Sequence, residues 1–240
     1  MKYRTFTPED QIAFAELSGD YNPLHMDAVA SRRLLFGSQV VHGIHSLLWA
    51  LDCYVQDKAE YVELRSINAV FPKPIKLGEQ ISLSHSNEPD GRLSINLRSG
   101  ESVVTKLQVV LHKARQTNCG FLKNRFPRKL QSRVLLENEI EVDSGTLDLY
   151  LNVEAAIKMF PNLIKFLPSA QIAVILSTTR LVGGICPGLH SVFSEMDIST
   201  TTLNSTTAMN YEVTKLDRRF GLVFMKITAP EMAGTIKAFC

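Results

Sequence analysis

Apolar residues fall at helical spacing in two long stretches of the chain, and at strand-like spacing in the segments that follow each. Residues 40–55 carry Val40, Val41, Ile44, Leu47, Leu48, Leu51 and Val55 on one stripe, which Trp49, Ala50 and Cys53 widen. A helix apolar around most of its girth belongs inside a domain. Residues 168–181 repeat the feature with Ile172, Ala173, Val174, Ile175, Leu176 and Leu181, and end at Gly183-Gly184. After the first helix, residues 62–71, 80–86, 92–98 and 102–111 read as strands. They are punctuated by Pro72-Lys73-Pro74, Lys76-Leu77-Gly78-Glu79 and Asn87-Glu88-Pro89-Asp90-Gly91. After the second, residues 191–202, 206–216, 219–228 and 233–239 read the same way. One long apolar helix and four strands, repeated at an offset of about 130 residues, predict two copies of one α+β unit.

Shorter helices precede each long one. Residues 7–17 open with Thr7 as a cap, Pro8 in the first turn, and Glu9 and Asp10 at the positive end of the dipole. A second short helix is expected over 27–35, carrying Arg32 and Arg33. In the second half, 139–153 reads as extended chain, turn and strand, and 154–166 as a helix interrupted by Pro161.

Composition narrows the function classes. The 240 residues are 45% hydrophobic and 21% charged, ordinary for a globular protein with room for one large or two smaller cores. A formal charge of +2 makes no case for nucleic acid or membrane binding, and no apolar run reaches the length of a spanning helix. The N-terminus lacks a signal-peptide core. Cys53, Cys119, Cys186 and Cys240 are scattered without CxxC spacing, which fits reduced thiols and a cytoplasmic setting. Between Lys113 and Arg133 seven basic residues occur with no acidic one. The expected organisation is therefore a unit over 1–113, a basic linker over 114–133 and a second unit over 134–240. The linker has the charge to meet phosphates or an acidic carrier protein, and equally that of a solvated connection.

The densest chemistry lies in Ser18-Gly19-Asp20-Tyr21-Asn22-Pro23-Leu24-His25. Gly19 permits backbone angles closed to other residues, and Pro23 pushes Asn22 out of the α region. The stretch is expected to be a fixed bend that presents Asp20 and His25 to a common point as an acid/base pair. The start of the first apolar helix, Val41-His42-Gly43-Ile44-His45, is the second candidate. His42 and His45, three residues apart, have the spacing to share a metal, but no cysteine or suitably placed acid completes a set, so both read as core or pocket-lining residues.

Residues 14–27, Phe14-Ala15-Glu16-Leu17 followed by the bend and Met26-Asp27, resemble the signature of MaoC-like (R)-specific enoyl-thioester hydratases. The Val40-Val41-His42-Gly43 entry to the central helix matches as well. The resemblance covers about the first 110 residues; the second half is similar in architecture to the degenerate unit of fused proteins of this kind. It implies an α+β double hotdog, each unit an antiparallel sheet wrapped around a long central helix. It also implies a lyase that reversibly hydrates trans-2-enoyl thioesters or dehydrates (R)-3-hydroxyacyl thioesters, as in fatty acid metabolism. Asp20 and His25 carry over as the acid/base pair and the Gly43 N–H as the oxyanion donor. Asn22, which orients the loop or the pair rather than doing chemistry, is expected on the substrate side together with His42, Arg32 and Arg33. No metal or redox cofactor is implied, since coenzyme A or the phosphopantetheine of an acyl carrier protein belongs to the substrate. The expected partners are the acyl thioester, a carrier protein and a second copy in a homodimer of double hotdogs.

One departure stands out. In the eukaryotic double-hotdog members the catalytic bend lies in the second unit, whereas here it lies in the first, so their long-chain preference does not transfer. Other readings stay open: a dehydratase module of a specialised biosynthetic pathway, a non-catalytic acyl-thioester-binding module, or a thioesterase. In the second half, Gly183-Gly184 and Gly188 lack the context of a phosphate loop. Cys186 reads as a structural thiol, and His190 as a packed residue.

Overall fold

The computed structural model describes residues 2–32, 36–58, 60–114, 122–201 and 207–240. The first half contributes strands β1 (Lys2–Thr5), β2 (Val62–Val70), β3 (Gln80–Asn87), β4 (Leu93–Ser99) and β5 (Ser102–Lys113). The second contributes β6 (Ser144–Asp148), β7 (Val192–Thr200), β8 (Ala208–Asp217), β9 (Leu222–Ala229) and β10 (Met232–Phe239). All ten form one antiparallel sheet in the order β1-β3-β4-β5-β2-β7-β10-β9-β8-β6. Read from either end, the order is the same pattern, so the halves are related by a pseudo-twofold at the β2–β7 seam, where Ser66 to Val70 pair with Ser199 to Glu195. The chain is a double hotdog.

The helices are α1 (Pro8–Ser18), α2 (Pro23–Met26), α3 (Ala28–Arg32), α4 (Gly43–Val55), α5 (Glu137–Ile140), α6 (Val153–Met159), α7 (Pro161–Phe166) and α8 (Ser169–Arg180). The central pair, α4 and α8, buries residues around nearly its whole girth, as the apolar stripes require. Their side chains join the inner faces of both sheet halves in one continuous core. A polar residue closes the seam between them. A bulge after Leu64 interrupts β2, and Gln171 of α8 pairs with the Leu64 backbone, accepting from its N–H at 2.8 Å and donating to its carbonyl at 3.0 Å. A buried strand end is thereby satisfied without a partner strand.

Several boundaries differ from those expected. Helix α4 starts at Gly43 rather than Val40, because Val40 bridges to Lys76 and the Val41 N–H donates to Ile75 at 2.8 Å. The glycine pair does not end α8; the chain runs on through Leu181–Ile185 as a π-helical turn. The bend is shorter than expected, since Pro23 opens α2 and His25 rides on it. Strand β1 and helix α5 were not anticipated; both have four residues, too few for a periodic signal. Within the basic stretch, Lys123 exchanges backbone bonds with Leu149 and Leu151, and the Arg133 N–H donates to Gly184. Those basic side chains are partly spent internally, Lys123 on Asp148 at 2.6 Å and Arg133 on Asp143 at 3.1 Å. Among the described residues no helix is long and apolar enough to cross a membrane.

Candidate active site

Thr7 caps α1 in a reciprocal pair with Asp10, and Gly19 ends the helix in the left-handed region at φ 79°. Only glycine fits there on two counts. The backbone angle disfavours a side chain, and a Cβ would lie 2.8 Å from Pro127 and 2.9 Å from Arg180. The chain then turns Asp20 inward, to 1% exposure. Asn22 follows as the cap of α2, accepting from the Leu24 N–H at 3.0 Å, while its side-chain amide donates to the carbonyls of Gly183 and Gly188. Asn22 thus spends its side chain on holding the bend to the second half, instead of facing the substrate side.

The Asp20 carboxylate is gripped from several directions. One oxygen accepts from the Asn22 N–H at 3.1 Å, and the other from the Thr179 hydroxyl of α8 at 2.6 Å. A Cβ on Gly183 would sit 2.2 Å from the first oxygen, so the π-helical turn presses bare backbone against the carboxylate. Such turns are often found where a helix must place one residue out of register. His25 donates Nδ1–H to the Val40 carbonyl at 2.8 Å, which leaves Nε2 with its lone pair. His42 donates from Nε2 to the Asp20 carbonyl at 3.1 Å and stacks on His25 at 3.8 Å between ring centroids. It is fully buried and orients the pair from behind.

Burial moves both titratable partners toward their neutral forms. It raises the Asp20 pKa, against the opposing pull of His25, Thr179 and the Asn22 N–H. It lowers the His25 pKa, against the attraction of Asp20 and the bond to Val40. His42 lies well below the usual imidazole range because it is buried beside two other histidines. Groups displaced in this way within a cleft have the signature of acid/base chemistry.

Asp20, His25 and Gly43 line a cavity of about 220 Å³. Gly43 is the first residue of α4, so its N–H has no acceptor within the helix and sits at the positive end of the dipole. A side chain there would run into the Phe71 ring at 3.0 Å. The walls are otherwise mostly apolar, with Leu24, Val41 and Ile75 from the first half and Val182 and Phe193 from the second.

Asp20, His25 and His42 each offer a ligand atom within 4.8 Å of the others. The His42 Nε2 is spent on a carbonyl and both Asp20 oxygens accept protein donors, so this set is committed to hydrogen bonding. His45 does not join it. The ring is stacked on Phe14 at 4.6 Å and edged by Phe6 and Phe160, and both its nitrogens lack hydrogen-bond partners among the described residues. Arg32 is exposed at the end of α3 and does not line the cavity; Arg33 lies outside the described residues. Thr179 and Gly183 were missed by sequence reasoning, since nothing in their local pattern points 159 or more residues back to Asp20.

The family model described as MaoC like domain matches residues 1–109. The peroxisomal hydratase-dehydrogenase-epimerase of Saccharomyces cerevisiae is 37% identical over 68 residues, 28% of this chain and 8% of that protein. The mitochondrial 3-hydroxyacyl-acyl-carrier-protein dehydratase of Arabidopsis thaliana is 35% identical over 80 residues, 32% of this chain and 46% of that one. The matched segments span less than half the length of either curated relative. A solved structure described as a MaoC-like dehydratase aligns over 99% of this chain and 95% of its own, with a TM-score of 0.62 and 12% identity. That last likeness is one of fold.

Proposed function

We propose, from the premise that this chain belongs through residues 1–109 to the MaoC-like dehydratase family, that it reversibly hydrates trans-2-enoyl thioesters to (R)-3-hydroxyacyl thioesters. The observation that carries this reading is the convergence of Asp20, His25 and the Gly43 N–H on one largely apolar cavity. In hydration, a water held between Asp20 and His25 adds its oxygen to C3 of the enoyl group. One of its protons ends on C2, and the two side chains relay it. His25 is suited to take part because Val40 fixes its tautomer and leaves Nε2 as an acceptor. As electrons shift toward the thioester carbonyl, the Gly43 N–H meets the growing charge on oxygen. Dehydration is the same path reversed. The names of the two curated relatives support both directions, and the second supports a carrier-protein thioester.

The test is turnover of short trans-2-enoyl thioesters of coenzyme A and of an acyl carrier protein, by wild type, Asp20→Asn and His25→Ala. Loss of hydration by roughly 10²-fold or more in both variants is expected. Unchanged rates in both would overturn the assignment. Release of free thiol without hydration would replace it with thioester hydrolysis.

A further inference from the structure

Besides Thr179, which donates to Asp20, and Ser191, which donates to the Val182 carbonyl, two hydroxyl side chains interrupt the apolar wall of the cavity, and neither belongs to the acid/base pair. Ser46 is fully buried, one turn into α4, and donates to the Gly43 carbonyl at 2.8 Å. Thr105, 1% exposed, stands across from it on β5 with its oxygen 3.3 Å from that of Ser46. Ser46 has one hydroxyl proton, and Gly43 takes it, so Thr105 must donate to Ser46. The lone pairs of the Thr105 oxygen then accept from no side chain or backbone group among the described residues, while the residue lines the cavity.

The strand is built to put it there. The pairing of β4 with β5 slips between Leu97 and Arg98, so that Val103 and Thr105 face consecutive partners and Val104 is the extra residue. Val104 and Thr105 are therefore buried side by side, and both line the cavity, where regular alternation would turn one of them to the other face. Bulges beside active sites re-aim side chains in this way.

We infer that this cavity selects an acyl chain carrying a hydrogen-bond donor, such as a hydroxyl group, beyond the reacting carbons. The inference rests on the thioester reading of the site. Ser46 lies about 4.5 Å along the helix axis from Gly43, and Thr105 stands beside it on the cavity wall. In apolar surroundings, an acyl donor meeting Thr105 gains a bond that a plain alkyl chain does not offer.

The experiment compares trans-2-hexenoyl thioester with counterparts bearing a hydroxyl on C5 or C6, in wild type, Thr105→Val and Thr105→Ser. Wild type should favour one hydroxylated substrate in kcat/KM by roughly three- to tenfold, the worth of one net hydrogen bond. The ratio should fall to near one in Thr105→Val and return in Thr105→Ser. No preference in wild type overturns the inference. A parallel loss for all substrates with the ratio intact also overturns it, and makes Thr105 a support for Ser46 and Gly43. Dissociation constants for saturated hexanoyl and hydroxyhexanoyl thioesters repeat the test without chemistry. Failure of turnover alone therefore counts against the hydration reading, and loss of the binding ratio counts against this one.

Discussion

The Thr179 hydroxyl makes the shortest bond to the Asp20 carboxylate, 2.6 Å, from the half of the chain that lacks the bend. Thr179→Val removes the donor and keeps the volume. Asp20 is 1% exposed, so water cannot readily replace it, and a hydrogen bond to a charged group contributes roughly 1.5–3 kcal/mol. At about 1.4 kcal/mol per factor of ten, kcat for a short enoyl thioester should fall roughly ten- to hundredfold. The sign on pH follows from the same bond. Thr179 lowers the Asp20 pKa against the burial that raises it, so losing the donor raises it further. The limb of the pH–rate profile that belongs to the Asp20–His25 pair should move to higher pH, whether Asp20 acts ionised or protonated. Thr179→Ser should restore both rate and profile. An unchanged kcat and an unmoved limb in Thr179→Val would refute the role given to Thr179.

Gly183→Ala should be more damaging, because its Cβ would lie 2.2 Å from the Asp20 carboxylate; a rate loss beyond that of Thr179→Val, with the circular dichroism spectrum retained, is the expected result. Asp52→Ala should act on stability, since the Asp52 carboxylate accepts from the Asn162 N–H, the Asn162 side chain and the Leu163 N–H at 2.8–3.1 Å. A loss of about 1–3 kcal/mol in urea unfolding, with kcat/KM little changed, would bear this out. His25, His42 and His45 are held below the usual imidazole range by burial, so the unfolded chain binds more protons as pH falls through about 6.5. Stability should fall from pH 7 toward pH 5, and His45→Phe should flatten that slope; equal slopes would show that His45 is not among the groups responsible.

What could be read from the chain was whatever had a local cause. The apolar stripes of α4 and α8, the cap at Thr7, the left-handed Gly19 and the helix-starting Pro23 each act within a turn or two of their own position. Asp20, His25 and Gly43 were legible because one bend and one helix start carry them. The contacts that complete the site come from residues with ordinary neighbours. Thr179 sits in a helix that buries every residue from Ala170 to Arg180, and Gly183 reads as a helix stop until the π-helical turn is seen to carry it onto Asp20. Asn22, read as orienting the loop and placed on the substrate side, does the first through partners the sequence does not show: its amide meets two carbonyls more than 160 residues away. In each case the partner is set by the packing of one half on the other, which no local spacing encodes.

The two central helices make reaches of different chemistry across the pseudo-twofold. Asp52 lies near the end of α4 and Thr179 near the end of α8, and each side chain meets the opposite half of the chain. From α8 the reach is made by a hydroxyl, which can donate to a carboxylate standing in a bend. From α4 it is made by a carboxylate, which accepts the N–H groups that open α7 at Asn162 and Leu163. Asp52, which belongs to the first half, is thus spent on capping a helix of the second, and Phe160, fully buried against Phe14 and His45, fills the neighbouring space. Restoring a second bend around Pro161 would therefore leave Asp52 facing another carboxylate across a dry seam, a like-charge contact that burial makes costly. The second half supports the cavity of the first: it supplies Thr179, Gly183 and the far wall.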